Sequence, residues 1–157
     1  MKNAAQSLTL CAALLAGTAA ADGLWPSHSA AVSGPGHDLL KADEAFKLLA
    51  AANEHGVVTV SWDIAPGYYL YRKRLRFEAA APANARLDAP QLPQGEIVED
   101  AHEGKAEVYH GALQAALHWP KNSPAPQLLR VSYQGCAEAG VCYPPQSRLV
   151  DVVDLSR

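Results

Sequence analysis

Long apolar runs are missing from this 157-residue chain. None reaches the ~18–20 residues that a membrane-spanning helix requires, so the chain is read as soluble and without a membrane span. A basic surplus is missing too. Thirteen Lys and Arg against sixteen Asp and Glu give a net charge of −3, which leaves no positive surface to attract nucleic acid. Charged residues make up only 18% of the chain and apolar residues 49%, a balance that excludes disordered and fibrous proteins and fits one globular domain. There is no phosphate-binding glycine loop, no GxSxG elbow and no HExxH pair. Cysteine is scarce, at three residues, and those three are the most informative ones present.

The first 21 residues read as a secretory signal peptide. Lys2 precedes an apolar stretch from Leu8 to Ala16, and small residues run on to Ala19-Ala20-Ala21, the order of charge, apolar core and small cleavage site that export signals use. Cleavage after Ala21 removes Cys11 and leaves Cys136 and Cys142. In an exported, disulfide-permissive setting an even count points to a pair. A domain of this size buries roughly two-thirds of its unfolded surface, so it does not need a disulfide merely to fold.

From Asp22 to His37 the chain is Gly, Pro, Ser and Ala without periodicity, a flexible lead-in. One domain is expected over 38–157. Residues 42–53 (ADEAFKLLAAAN) serve equally as a helix with Asp43 at its N-cap or as a first strand. Val58, Val60, Trp62 and Ile64 then alternate with Thr59, Ser61 and Asp63, the period of a strand buried on one face. After the Pro66-Gly67 turn signal, Tyr68–Phe77 reads as a second strand with Arg72, Arg74 and Arg76 on its wet face. Residues 79–95 read as loop. Further strands are expected at 106–110, 112–119, 128–134 and 148–155. Some seven short strands separated by turns predict an all-β, immunoglobulin-like antiparallel β-sandwich.

Cys136 and Cys142 stand in YQGCAEAGVCYPP, after the last well-patterned strand but one, with five residues between them. The spacing is too wide for a CxxC motif. A bond here closes a small loop, worth only about 2 kcal/mol of chain entropy, and joins no distant strands, whereas sandwich staples usually cross between the sheets. Spacing alone leaves a structural staple and a redox pair equally open.

The string Gln134–Pro145 closely resembles the active-site loop in the N-terminal periplasmic domain of DsbD-type thiol:disulfide interchange proteins. The resemblance extends to Gly67–Arg72 (GYYLYR), Gln91–Gly95 (QLPQG) and Gly104–Tyr109 (GKAEVY), in the family's order, and covers most of the chain from about Asp38 to Val152. It implies an immunoglobulin-like domain with an active-site loop and a cap loop, in the periplasm, whose Cys136/Cys142 pair passes electrons to thioredoxin-fold partners such as disulfide isomerases and cytochrome c maturation thioredoxins. In the family a thioredoxin-like domain, supplied through a membrane domain, re-reduces that pair. The resemblance makes Cys142 the cysteine that forms mixed disulfides and Cys136 its resolving mate, with no cofactor and no metal. Because this sequence carries neither membrane helices nor a CxxC domain, a stand-alone monomer reduced in trans is expected.

The segment matching the family's cap loop is Asp100-Ala101-His102-Glu103-Gly104. Family members commonly have an aromatic pair where this chain has His102-Glu103. Histidine can be charged near neutral pH, which raises a looser, pH-responsive cap as one role for His102, with an ordinary exposed loop residue as the competing one. Asp100 matches the family's acidic residue near the thiols. Carboxylates disfavour a thiolate, which predicts a Cys142 that is sluggish until a partner docks. Tyr68, Tyr69 and Tyr71 are candidates to wall the site, with packing in the core as the competing role.

Two other functions compete. One is a metal-binding periplasmic protein using Cys and His, although His102, His110 and His118 lack a recognised ligand spacing. The other is a non-catalytic interaction module with a permanent disulfide, docking an acidic partner on Arg72, Lys73, Arg74 and Arg76.

Overall fold

The computed structural model describes residues 39–156, so the leader expected at 1–21 and the lead-in expected at 22–37 lie outside the described residues. A helical turn, α1 (Ala42–Ala45), precedes β1 (Phe46–Glu54), β2 (Val57–Ile64) and β3 (Tyr68–Tyr71). A 3₁₀ turn (Arg72–Arg74) leads to β4 (Arg76–Ala81), β5 (Glu96–Asp100), β6 (Gly104–Tyr109), β7 (Ala112–Leu117) and β8 (Leu128–Tyr133). β9 (Gly135–Ala137), β10 (Val141–Cys142) and β11 (Gln146–Asp154) complete the order. The strands form a six-stranded sheet, β4-β8-β11-β1-β2-β7, and a five-stranded sheet, β10-β9-β3-β6-β5. This is the immunoglobulin-like sandwich expected. Its ladders are antiparallel apart from β1 against β11, where Ala51 pairs with Val152 in parallel.

The β2 alternation is realised. Val58, Val60, Trp62 and Ile64 are at most 2% exposed and face the opposite sheet. In the same sheet as β2, β7 adds Leu113, Ala115 and Leu117, and β8 adds Leu129, Val131 and Tyr133, all buried. Trp62 meets Phe77 and Tyr133 edge-on at 6.0 Å, the arrangement that ring quadrupoles favour.

The 42–53 segment is helix first and strand after. Asp43 is not the cap: Lys41 holds that position, and its N–H donates to Glu44 Oε2 at 3.0 Å. The larger correction concerns Tyr68–Phe77, which is two strands in two sheets. β3 pairs with β6 and β9 in the small sheet, while β4 pairs with β8 in the large one. The 3₁₀ turn between them carries the chain from one sheet to the other, so the basic residues there do not line a strand face. Arg72 Nη1 instead donates to Pro93 O at 2.6 Å and to Tyr109 Oη at 2.5 Å, and pairs with Glu107 at 3.3 Å.

All four residues of β3 are buried, although the pleat still sends them to opposite faces. Tyr68 and Leu70 enter the main core with Phe46, Trp62 and Tyr109. Tyr69 and Tyr71 lie on the other face, in a small second cluster with Ala106, Val108 and Cys136. Half of this strand is therefore buried by the site rather than by the sandwich.

Candidate active site

β9 and β10 form a hairpin in which Cys142 stands directly opposite Cys136, with Cα atoms 3.9 Å apart and the sulfurs joined in a disulfide. The bond ties neighbouring strands of one sheet and does not cross the sandwich. Gly140 (φ +87°) makes the turn, a left-handed conformation in which glycine is unpenalised, and its N–H donates to Ala137 O at 2.9 Å. β9 is held against β3 in register, Cys136 opposite Tyr69 and Gly135 opposite Leu70. The Glu138 N–H donates to Gly67 O at 2.8 Å and the Tyr143 N–H to Gly135 O at 3.0 Å. Gly135 is required by close approach. A Cβ there would fall on the Tyr69 carbonyl oxygen and within 2.6 Å of the Phe46 ring.

The two sulfurs are unequal in access. Cys136 is fully buried, whereas Cys142, at the edge of the small sheet, is half-buried. Tyr71 Oη lies 3.2 Å from Cys136 Sγ and 3.8 Å from Cys142 Sγ. The Tyr71 ring meets that of Tyr69 edge-on at 5.4 Å, and the Tyr69 hydroxyl donates to Asp100 Oδ2. Asp100 Oδ1 accepts the N–H groups of His102 and Glu103, each at 2.8 Å.

Burial alone would raise the Asp100 pKa. Donors from Tyr69, Tyr71, His102 and Glu103 outweigh that effect and hold the carboxyl down at about 2. The Tyr71 phenol moves the other way. Burial first, then its bonds to Asp100 and Tyr69, push it far above its ordinary value. Tyr69 is raised by burial and by Asp100. The site thus pairs a fixed carboxylate with phenols that stay protonated, one of which touches both sulfurs.

The segment expected to form the cap is the β5–β6 turn. Asp100 pairs with Gly104, and 101–103 form the loop. His102 is exposed, with Nε2 3.4 Å from Gly140 O, so the cap meets the tip of the cysteine hairpin. Glu103 accepts from Arg74 Nη2 at 2.5 Å and pairs with Lys73. These bonds draw the Glu103 pKa below its ordinary value and latch the loop to the 3₁₀ turn.

The structure therefore brings Tyr71 and Tyr69 to the Cys136–Cys142 pair, ties Asp100 to it through Tyr69, sets His102 against the hairpin tip and holds Glu103 on Lys73 and Arg74. Tyr68 is not brought to the sulfurs. It contacts Phe46 at 6.0 Å on the core side, and its hydroxyl accepts the Leu40 N–H at 2.9 Å. Sequence reading missed Lys73 and Arg74 as the latch. Their only signal was opposite charge to Glu103, about thirty positions away and without a local pattern. His110, weighed in the sequence only as a metal ligand, packs on Tyr69 at 5.8 Å. Among the described residues, no group of three or more His, Cys, Asp or Glu converges as metal ligands would.

An immunoglobulin-like sandwich with a hairpin disulfide beside the β5–β6 loop defines a class of proteins that present a cysteine pair at a sheet edge. Residues 36–154 match the family model for the N-terminal domain of the thiol:disulfide interchange protein DsbD, and the chain belongs to that family. It is 44% identical over 115 residues to thiol:disulfide interchange protein DsbD 2 of Pseudomonas aeruginosa, covering 73% of this chain and 18% of that protein. The corresponding protein of Cronobacter sakazakii is 46% identical over 109 residues, 69% of this chain and 18% of the relative. The chain thus spans less than a fifth of these relatives' length. Among solved structures, the reduced DsbD N-terminal domain of Neisseria meningitidis superposes with a TM-score of 0.64 at 36% identity, over 74% of this chain and 90% of that one. A complex of the DsbD and PilB N-terminal domains from the same organism matches with a TM-score of 0.62.

Proposed function

We propose that the Cys136–Cys142 pair carries electrons between periplasmic proteins by disulfide exchange, with thioredoxin-fold domains as acceptors and as the donor that re-reduces it in trans. The observation that carries this reading is the unequal access of the two sulfurs. In the reduced protein, the Cys142 thiolate attacks one sulfur of a partner's disulfide, forming a mixed disulfide and expelling the partner's other sulfur as thiolate. The Cys136 thiolate then attacks Cys142 Sγ. This re-forms the Cys136–Cys142 bond and frees the partner's second thiolate. Two electrons pass to the partner, and the protons released by the two cysteines restore its thiols.

Buried Cys136 is shielded from outside partners but sits one bond away from Cys142, as a resolving sulfur must. Tyr71 supports it. In the reduced state the Cys136 S–H can donate to Tyr71 Oη; on ionisation the phenol turns its proton to the thiolate. The export signal read in residues 1–21 supports the periplasmic setting. The complex of a related DsbD domain with PilB supports a protein, not a small molecule, as the exchange partner, and cytochrome c maturation thioredoxins belong to the acceptor class proposed.

The test is trapping. Cys136→Ser should accumulate reductant-sensitive adducts through Cys142 in periplasmic extract, and Cys142→Ser should not. A pair that equilibrates only below about −300 mV, the range of structural disulfides, would refute the reading and favour the static module.

A further inference from the structure

Beside the cysteine hairpin lies an open groove of about 700 Å³, running from the cap loop at Asp100 and His102 to the hairpin turn at Glu138 and Gly140. Its walls are apolar where Ile64, Tyr69 and Val98 contribute. Its charge is of one sign. Glu96, Glu99, Asp100 and Glu138 line it, and no Lys or Arg does. Asp100 is satisfied by its own donors, as described above, but the three glutamates are exposed.

His110 lies between two of these glutamates, with Nδ1 3.5 Å from Glu96 and Nε2 3.5 Å from Glu138. A neutral imidazole carries one N–H, so it can serve only one of the two carboxylates and leaves the other without a donor from that ring. A cation arriving in the groove would find carboxylates beside apolar and tyrosine side chains, the surroundings that favour an Arg or Lys head on an apolar stem.

We propose that this groove is the docking channel for the exchange partner, and that it selects a segment carrying a lysine or arginine, with apolar neighbours, next to the partner's reactive cysteine. The proposal rests on the exchange reading above and adds to it the chemistry of the segment recognised. Continuity supports it, because Glu138 and Gly140 belong to the short loop that the disulfide closes. A chain bonded to Cys142 therefore lies beside a carboxylate-rimmed channel. Complementary charge of this kind acts mainly on the encounter rate and on partner choice.

Two cysteine peptides, one flanked by lysines and one by glutamates, each activated as the mixed disulfide with thionitrobenzoate, provide the test. The Cys142 thiolate of the reduced protein displaces the coloured thionitrobenzoate, and Cys136 then releases the peptide thiol. The lysine peptide should react about tenfold faster at low ionic strength, with most of that advantage lost in 0.5 M NaCl, where screening is complete within a few ångströms. Glu96→Gln/Glu99→Gln should erase the preference. Glu54→Gln, which removes a charge from β1 outside the groove, should keep it.

Equal rates for the two peptides, or a preference surviving the double substitution, would overturn the proposal. The uncharged bis(2-hydroxyethyl) disulfide separates the two ideas, because its failure to react counts against exchange itself. In that case binding of a cysteine-to-serine lysine peptide decides the groove. Amide shifts at residues 96–102 and 138–140 uphold it, and their absence overturns it.

Discussion

The hydroxyl of Tyr71 lies 3.2 Å from Cys136 Sγ and 3.8 Å from Cys142 Sγ, so a single phenol touches both sulfurs of the pair. Its burial, with the neighbouring Asp100 carboxylate and Tyr69, keeps it protonated, which makes it a standing donor for whichever sulfur carries negative charge. Hydrogen bonds to charged groups are worth about 1.5–3 kcal/mol, equivalent to one to two pKa units on the sulfur they serve. Tyr71→Phe should therefore raise the Cys136 thiol pKa by at least about one unit and slow resolution of the mixed disulfide roughly tenfold. The pH profile of alkylation in a Cys142→Ser background, compared with Cys142→Ser/Tyr71→Phe, measures this. Superimposable profiles would remove Tyr71 from the chemistry and leave it a packing residue.

Asp100 gives a stability signature in acid. Its carboxyl is held at about 2 in the folded protein, below the ~3.9 of an unfolded aspartate. The folded state thus binds the proton less well. The stabilisation is fully present above about pH 4 and is lost as pH falls through about 2. The difference corresponds to about 2–3 kcal/mol at neutral pH. Urea unfolding of wild type and Asp100→Asn should differ by that order at pH 7, and the two curves should converge between pH 4 and 2. A gap that persists unchanged at pH 2 would mean that the carboxylate is not its source.

The latch on the cap predicts a kinetic effect. Glu103 binds Arg74 and Lys73, while His102 reaches Gly140 O at 3.4 Å. Both contacts are at the surface, where ion pairs are weak and screened by salt. Glu103→Gln should speed reduction of the disulfide by dithiothreitol a few-fold, and raising ionic strength should accelerate wild type but not the variant. His102→Ala should act in the same direction without the salt dependence. If none of these changes alters the rate, the cap does not limit access to Cys142.

What was legible in the sequence follows the range of the interactions. β2 could be read because each of its residues reports its own face through a period of two, and the cysteine loop because its flanking residues are themselves diagnostic. Tyr68–Phe77 misled because two local signals merged. β3 is buried on both faces, so its alternation vanishes, and the following basic residues make a 3₁₀ turn whose role is to change sheets. A single strand would have set Leu70 on the same face as Arg72, Arg74 and Arg76, and instead Leu70 is wholly buried in the main core. Glu103 with Arg74, Arg72 with Tyr109, and His110 with Glu138 are contacts made only after the sheets assemble. Nothing in the spacing of these residues announces them.

Gly135 yields the most direct structural prediction. It pairs with Leu70 across β9–β3, and an added Cβ would meet the Tyr69 carbonyl oxygen and the Phe46 ring edge. The carbonyl belongs to the strand that carries Tyr69 and Tyr71, so it cannot yield without moving both tyrosines. Phe46 is 1% exposed and wedged edge-on between Tyr68 and Tyr143, so it cannot yield either. Overpacking of this kind costs about 1–3 kcal/mol, and here the strain falls next to Cys136. Gly135→Ala should lower the thermal midpoint and, because β9 must shift away from β3, weaken the Tyr71–Cys136 contact as well. The variant should therefore lose stability and mixed-disulfide resolution together, whereas Gly67→Ala, at φ +81° with nothing within 4 Å of its Cβ position, should lose stability alone. Calorimetry and resolution kinetics on the two variants separate backbone strain from displacement of the site. A Gly135→Ala protein with wild-type resolution would show that β9 absorbs the methyl without carrying Cys136 along.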